Sequence, residues 1–459
     1  MKTKIPHSYV LLFYIIVAAA IASYFIPAGN FERQIDAATG INYVVPGSYH
    51  RVEGSAVSLF ELFKAIPAGM MEASDIIIFV LITGGSFGII QATGTINTLI
   101  GTVVRKYLGK EKKVIPIVMI MFSLAGAIFG TAEEALPLYP IFITLALALG
   151  FDSITGVAMV LLGTGSGFAA GFLNPFTTGI AQGISELPLF SGMSLRIIAY
   201  VVILTSSIVY VYWYAGKGNK DAEKEETIPT EMVMDFDINR LPSLSGKHIR
   251  VTIVLFAFLM FLIYGIISRE FYILEISTTF LITGIASGIV GKLKPGRIAS
   301  EFIKGASNLI YSALIIGLAR AVMVIMIYGS IMDTVIYQLS KAIVGFTPVL
   351  STIAMFMVQS IINLFITSGS GQAAVTMPIM TALADMSGVT RQTAVLAFQF
   401  GDGFSNVISP TSGYFMAALA IGGIQWKKWA RWMFPLFMIW CILGCILLAI
   451  AIIIDYGPY

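Results

Sequence analysis

The chain has 459 residues, 57% of them hydrophobic and 12% charged, with a mean hydropathy of +0.87. A soluble domain of this length needs a far larger charged surface, so lipid must cover most of it. A net charge of only +3 argues against nucleic acid as a partner.

A spanning helix needs about 20 mostly apolar residues. The run from Tyr9 to Ile26 is longer than a signal-peptide core and reads as a retained first span, over 8–27. A polar loop over 28–57 and an amphipathic stretch over 58–72 follow, the latter expected to lie flat at the outer surface. A span is expected over 73–93. Val114–Phe129 and Ala135–Leu149 are apolar arms of about 15 residues around the polar tip GTAEE, short for spans. They predict a re-entrant hairpin over 114–149, its tip shielded by protein or facing water. Two ordinary short helices joined at the surface are the alternative. Polar and Gly-rich residues interrupt the next apolar stretch, 152–186, which reads as a broken span, and a span over 188–213 closes the first half.

The polar segment 214–248 is the natural linker. Beyond it, spans are expected over 249–267, 271–291 and 308–328, with amphipathic stretches over 298–307 at the inner surface and 330–343 at the outer. Val349–Ile366 and Ala373–Met386 flank the tip TSGSGQ and predict a second hairpin over 349–386. A broken span over 390–425 and a last span over 431–454 complete the chain. The fold expected is an all-α polytopic membrane protein with about nine transmembrane helices, two of them broken, plus two re-entrant hairpins. Lys and Arg concentrate in 105–113, the linker, 292–297 and WKKWARW (426–432), all on the side of Lys2 and Lys4, which makes the N-terminus cytoplasmic. The tryptophans of the last cluster read as membrane-interface anchors. Cys441 and Cys445 lie one helical turn apart and read as packing residues; His7, His50 and His248 lie outside the spans, leaving no intramembrane zinc site or Ser–His dyad.

The chain also resembles itself at an offset near 238: Pro140 falls on Pro378, Thr155 on Thr393, Gly163 on Gly401 and Gly165 on Gly403. A three-residue gap then brings Asn174-Pro175 over Ser409-Pro410. With the hairpins entering from opposite sides, 1–213 and 249–459 form two inverted repeats, the second with one extra helix. Paired interruptions at matching places in two such repeats are the best pointer to a transport site.

The candidate site is therefore the two tips with the two breaks. In the first half it comprises Thr131, Glu133 and Glu134, then Thr164 and Ser166 within GTGSG (163–167), and Asn174. In the second it comprises Thr367, Ser368, Ser370 and Gln372, then Asp402, Ser405 and Asn406, and Ser409, Thr411 and Ser412. Gly163, Gly165, Gly401 and Gly403 are expected to permit an unwound backbone whose carbonyls hold Na⁺, while helix N-termini face an anionic group. The bland alternative is that these small residues only let helices pack closely. Glu133, Glu134, Asp402 and Arg320 fall at the expected bilayer centre, where a charge costs about 2.5–3.5 kcal/mol on insertion scales and needs a partner or water. The carboxylates suit a cationic group, a coupling Na⁺ or protons. Arg320 suits a substrate carboxylate, or an ion pair with one of those acids. Asp385 and Arg391 read as a solvated pair.

At GTAEEALPLYP, GTGSGFAAGFLNPFTTGIAQ, GLARA, SGSGQAAVTMPIM and AVLAFQFGDGFSNVISPTSGYFMAAL the chain resembles the YfcC-type family, grouped with anaerobic four-carbon dicarboxylate carriers in the ion transporter superfamily. The resemblance implies elevator-like motion, a homodimer, and tips and breaks that enclose substrate and coupling ion. Relatives include dicarboxylate carriers and arginine/ornithine antiporters. Sodium-coupled members often carry Ser-Asn-Thr at the tips, where this chain has TAEE and TSGSGQ. Three central carboxylates against one Arg suit a basic or zwitterionic amino acid better than a dianion. The expected function is secondary active transport of a small charged solute across a bacterial inner membrane, with no cofactor beyond a coupling Na⁺ or H⁺. The alternative substrate is a four-carbon dicarboxylate. No Walker motif is present to use ATP. An intramembrane protease would need a membrane His or a second Asp, and a channel would need a continuous polar pore.

Overall fold

The computed structural model describes residues 8–35, 42–54, 56–215, 245–269, 271, 273–343 and 345–457. Most of the expected linker, and Lys2 and Lys4, lie outside these described residues. The first half runs α1 (Ser8–Ala22), four short strands β1 (Gly29–Asn30), β2 (Arg33–Ile35), β3 (Asn42–Val44) and β4 (His50–Arg51), then α2 (Leu59–Glu72), α3 (Ser74–Ala92), α4 (Thr95–Tyr107), α5 (Val114–Phe129), α6 (Tyr139–Ala148), α7 (Ser153–Ala170), α8 (Ile180–Ile184) and α9 (Met193–Ala215). The second runs α10 (Gly246–Arg269), α11 (Ile273–Val290), α12 (Pro295–Asn308), α13 (Ile310–Tyr328), α14 (Met332–Lys341), α15 (Pro348–Ile362), α16 (Gly369–Ser387), α17 (Arg391–Ser405), α18 (Gly413–Ile421) and α19 (Trp426–Ile453).

Among the described residues, seven helical stretches are long and apolar enough to cross a membrane: Ser74–Ala92, Glu111–Phe129, Ser153–Ile184, Met193–Ala215, Ile273–Val290, Ile310–Tyr328 and Trp426–Ile453. The α1 helix has 15 residues, fewer than its apolar run, because it ends before Pro27. The polar loop after it holds two small antiparallel pairs, β1 with β4 and β2 with β3. This loop is tied down on α14. Arg33 Nη2 reaches Asp333 Oδ1 at 2.7 Å, and Phe31 N–H donates to Asp333 Oδ2 at 2.9 Å.

The two halves repeat one device. Helices of 14 and 19 residues, α2 and α3, are separated by the single residue Ala73 at φ −104°, ψ 14°. Helices of the same lengths, α12 and α13, are separated by Leu309 at φ −103°, ψ 0°. Each short helix crosses to the long helix of the other half on a glycine at its eleventh residue. A Cβ on Gly69 would lie 2.6 Å from Gly317 O and Ala321 N; one on Gly305 would lie 2.3 Å from Gly84 O. Only a residue without a side chain permits that approach. The expectation that 58–72 and 298–307 lie flat at the surface is therefore corrected, since their C-terminal ends dock well inside α13 and α3.

At the centre α7 meets α17 through a reciprocal contact. A Cβ on Gly165 would lie 2.6 Å from Val407 Cγ1, and one on Gly403 would lie 2.5 Å from Ala169 Cα. Gly165 and Ala169 correspond to Gly403 and Val407 at the sequence offset of the internal repeat. Residue i thus meets j′ while i′ meets j, the pattern of a two-fold contact.

Candidate functional site

The breaks do not fall on the glycine-rich strings. The α7 helix runs unbroken through Gly163–Gly167 to Ala170, and α17 runs through Gly401 and Gly403 to Ser405. Their glycines serve close packing. Gly163 rests on Met119 and Phe122, Gly167 on Ser123 O, and Gly401 on Phe356 and Gln359. The expected cation coordination by unwound backbone at Gly163, Gly165, Gly401 and Gly403 is corrected on this ground. The chain unwinds later, over 171–174 and 406–412.

Even there the freed carbonyls are taken by side chains. Phe168 O accepts from Gln399 Nε2 at 2.5 Å, and Gly171 O from Thr178 Oγ1 at 2.7 Å. In the second break, Val407 O and Ile408 O accept from Trp429 Nε1 at 2.9 Å and Trp426 Nε1 at 2.8 Å. The tryptophans read as interface anchors thus also cap the break. What stays free is side-chain chemistry. Thr131 Oγ1, Asn174 Nδ2, Thr177 Oγ1, Asn363 Oδ1, Asp402 Oδ2, Asn406 Oδ1 and Ser412 Oγ are buried without a hydrogen-bond partner. Buried polar atoms in that state are rare in proteins; others occur here, three of them on Arg196, and the group at the tips and breaks makes that region the candidate ligand site.

Each tip sits on its break. Gly130, at φ +64°, ends α5 in a left-handed turn, and a Cβ there would lie 2.5 Å from Asn174 Oδ1. Asn174 Oδ1 in turn accepts from the amides of Phe176 and Thr177, starting a short π turn over Pro175–Gly179. In the second half Asn363 Nδ2 donates to Asp402 O at 3.1 Å and Ser405 Oγ at 2.7 Å. Asp402 is fully buried and Asn406 Nδ2 donates to its Oδ1 at 2.9 Å. A Cβ on Gly369 would lie 2.9 Å from Asp402 Oδ2 and 2.4 Å from Thr177 Cγ2, so the second tip touches both breaks.

Glu133, Glu134 and Arg320 meet in one cavity of about 220 Å³, lined also by Glu72, Asp75, Thr367, Ser368, Ser412 and Tyr414; Asp402 is not among its lining residues. Glu133 feels the charges of Glu134, Arg320 and Asp75, and Asp402 feels that of Glu133. Among the described residues no carboxylate lies within 4.0 Å of Arg320; its Nη1 contacts only Met323 Sδ, at 3.7 Å. Ser368 and Ser412 are the N-caps of α16 and α18, so two helix N-termini border the cavity. A neighbouring cavity of about 450 Å³ shares Arg320 and Ser368 and carries the Arg33–Asp333 pair. A further cavity of about 700 Å³ lies between α8 and α16 and is lined mainly by apolar residues. Its charged rim is Arg391 paired with Asp385 at 2.8 Å and Glu186 at 2.7 Å, the first pairing as read from sequence.

Not every expected residue joins the site. Thr164 Oγ1 is satisfied by Val160 O and Ser166 Oγ by Leu162 O and Ser207 Oγ, as packing groups of α7. Gln372 Nε2 bonds Gln359 and ties α16 to α15, although its Oε1 stays buried without a partner, while Ser409 and Thr411 bond each other at 2.7 Å. Ser370 Oγ pairs with Ser368 Oγ at 3.3 Å. Sequence reasoning missed Glu72, Asp75, Tyr414, Asn363 and Gln399. Glu72 and Asp75 were visible as acids at the start of a span, but α2 was laid on the surface.

A family model described as C4-dicarboxylate anaerobic carrier matches residues 5–453. A protein of Escherichia coli K12 named "Putative basic amino acid antiporter YfcC" is 33% identical, over 94% of this chain and 93% of its own. An uncharacterized protein of Haemophilus influenzae is 29% identical, over 89% and 81% of the two chains. Among solved structures, the YdaH transporter of Alcanivorax borkumensis aligns over 99% of this chain and all of its own, with a TM-score of 0.45 at 15% identity. MtrF of Neisseria gonorrhoeae, whose structure is described as illuminating a class of antimetabolite efflux pumps, aligns over 98% and 95%, with a TM-score of 0.44 at 18% identity. The chain belongs to the C4-dicarboxylate anaerobic carrier family, in its YfcC-type group, and is a multi-pass membrane transporter.

Proposed function

We propose that the chain is a secondary transporter of a basic or zwitterionic amino acid, working by arginine/ornithine-type exchange or ion-coupled uptake. The observation that carries the substrate class is one cavity wall on which several carboxylates stand with a single guanidinium. Arg320 and the N-termini of α16 and α18 suit a substrate carboxylate, while Glu133 and Glu134 suit a cationic group. A four-carbon dicarboxylate would leave those acids facing a second anion. The name of the Escherichia coli relative favours the amino acid, and the family description favours the dicarboxylate.

The mechanism in this reading is elevator-type alternating access by two inverted repeats in a bacterial inner membrane, with the N-terminus inside and a homodimer as the working unit. Three observations support the repeats: the equal helix pairs broken at Ala73 and Leu309, the crossed Gly69 and Gly305 contacts, and the reciprocal Gly165–Val407 and Gly403–Ala169 contacts. The seating of both tips on breaks of long helices supports re-entrant hairpins. We assign coupling, by Na⁺ or H⁺, to Asp402. Its Oδ2 and the side-chain oxygens of its hydrogen-bonded neighbours Asn363 and Asn406 are unpartnered, and oxygen is the donor a hard cation accepts.

The test is counterflow into proteoliposomes preloaded with ornithine, arginine, succinate or nothing, following labelled arginine and labelled succinate. Arginine accumulation driven by internal ornithine is the expected result. Succinate flux alone would replace the reading with a dicarboxylate carrier, Arg320 and the helix N-termini then forming its anion site.

A further inference from the structure

We infer that Glu72 and Asp75, at the corner between α2 and α3, form the subsite that recognises the cationic side chain of the substrate. The inference rests on the amino-acid reading above and adds the residues that would set its specificity.

Depth is the first argument. Gly69, one turn before Glu72, is pressed onto Gly317 and Ala321 of α13, and a Cβ on Gly317 would lie 3.0 Å from Met70 Cα. Arg320 lies between those two contact residues in sequence. The α2–α3 corner therefore stands at the level of Arg320, in the interior of a 19-residue apolar helix. Carboxylates at that level persist when they face a cation or a water-filled cavity. Glu72 and Asp75 line the cavity that holds Glu133, Glu134 and Arg320. Among the described residues neither has a basic side chain within 4.0 Å; Asp75 Oδ1 accepts only from its neighbour's amide, Ile76 N, at 2.8 Å.

Balance is the second argument. Four carboxylates face one guanidinium in the cavity, so a resident anion would worsen the repulsion and a cation relieves it. The third observation is independent of charge. Ser412, fully buried, has a hydroxyl without a partner on the wall of the same cavity, which marks the cavity as built for a ligand without choosing its charge. A guanidinium offers five N–H donors and an alkylammonium three, all of which carboxylates can accept. Glu72 and Asp75 come from α2 and α3, Glu133 and Glu134 from the first tip. The side-chain cation would thus be gripped from two separately packed elements, which fixes its position as well as its charge.

The discriminating pair is arginine and citrulline, which have nearly the same shape but differ in charge. Uptake of each, labelled, is measured in proteoliposomes holding the full chain, Glu72→Gln, Asp75→Asn or the double variant, with detergent-purified protein checked for an unchanged elution profile. The inference expects KM for arginine to rise about tenfold in each single variant, while citrulline uptake rises and the arginine-to-citrulline ratio falls. Arginine and citrulline losses by one common factor, or an unchanged ratio, would overturn it while leaving the amino-acid reading intact. Unmodified chain that carries succinate and neither amino acid would overturn both.

Discussion

The two helix breaks occupy matching places but differ in chemistry. At the first, over 171–174, the neutral Asn174 caps the outgoing turn, and the acids of its tip, Glu133 and Glu134, stand on the cavity wall. At the second, over 406–412, the acid stands one turn before the break, on α17: Asp402 is fully buried, held by Asn406, while the tip offers neutral Thr367 and Ser368. One half carries its charge on the hairpin and the other on the broken helix. In the proposed reading the first half serves the solute and the second the coupling ion.

Mutations sharpen that division. The largest expected effect is in Asp402→Asn, which should abolish transport at matched protein levels, a loss of at least about 100-fold, or two steps of about 1.4 kcal/mol. Flux at the unmodified level in this variant would remove Asp402 from the mechanism. Next comes the tip. Glu133→Gln should eliminate exchange and Glu134→Gln should reduce it nearly as far, because Glu134 Oε2 already accepts from Ala132 N at 2.9 Å. Arg320→Ala should also stop transport, with Arg320→Lys restoring part of it; equal loss in both would point to a bidentate contact that Lys cannot make.

Stability probes the central crossing. Gly403→Ala places a methyl against the backbone of Ala169, and Gly165→Ala places one against the movable end of Val407. The first should cost about 1–3 kcal/mol by thermal unfolding in detergent, and the second less. A reversed order would contradict the packing described. The smallest effect is expected from Ser166→Ala. Its hydroxyl bonds Leu162 O and Ser207 within packed helices, so transport should stay at the unmodified level.

Much of this was legible in the sequence, for physical reasons. Apolar length located α3, α9, α10, α11, α13 and α19 to within a few residues, and short arms around polar tips located both hairpin-like pairs. Charged residues in apolar surroundings picked out Glu133, Glu134, Asp402 and Arg320. Glycine was misread, because close helix packing and unwinding draw on the same residue: at Gly163, Gly165, Gly401 and Gly403 packing won, and the unwinding came several residues later. Glu72 and Asp75 were missed because α2 is amphipathic by itself, and amphipathicity does not say whether the opposing surface is a lipid face or another helix. Only the crossed glycine contacts set that corner, whose two acids are exposed, at the level of Arg320. Gln399, Trp426 and Trp429 satisfy carbonyls far away in sequence, which no local pattern announces.

The central claim is that the cavity between Glu133, Glu134 and Arg320 holds the substrate. The most direct test replaces Cys441 and Cys445 with Ala, introduces Thr367→Cys on the cavity wall, and follows labelling by a small polar maleimide with and without arginine. Arginine at transport-saturating concentration should slow labelling at this position, and should not slow it at a control Leu108→Cys on the exposed surface. Unchanged labelling at Thr367→Cys, in protein that still transports arginine, would contradict the account.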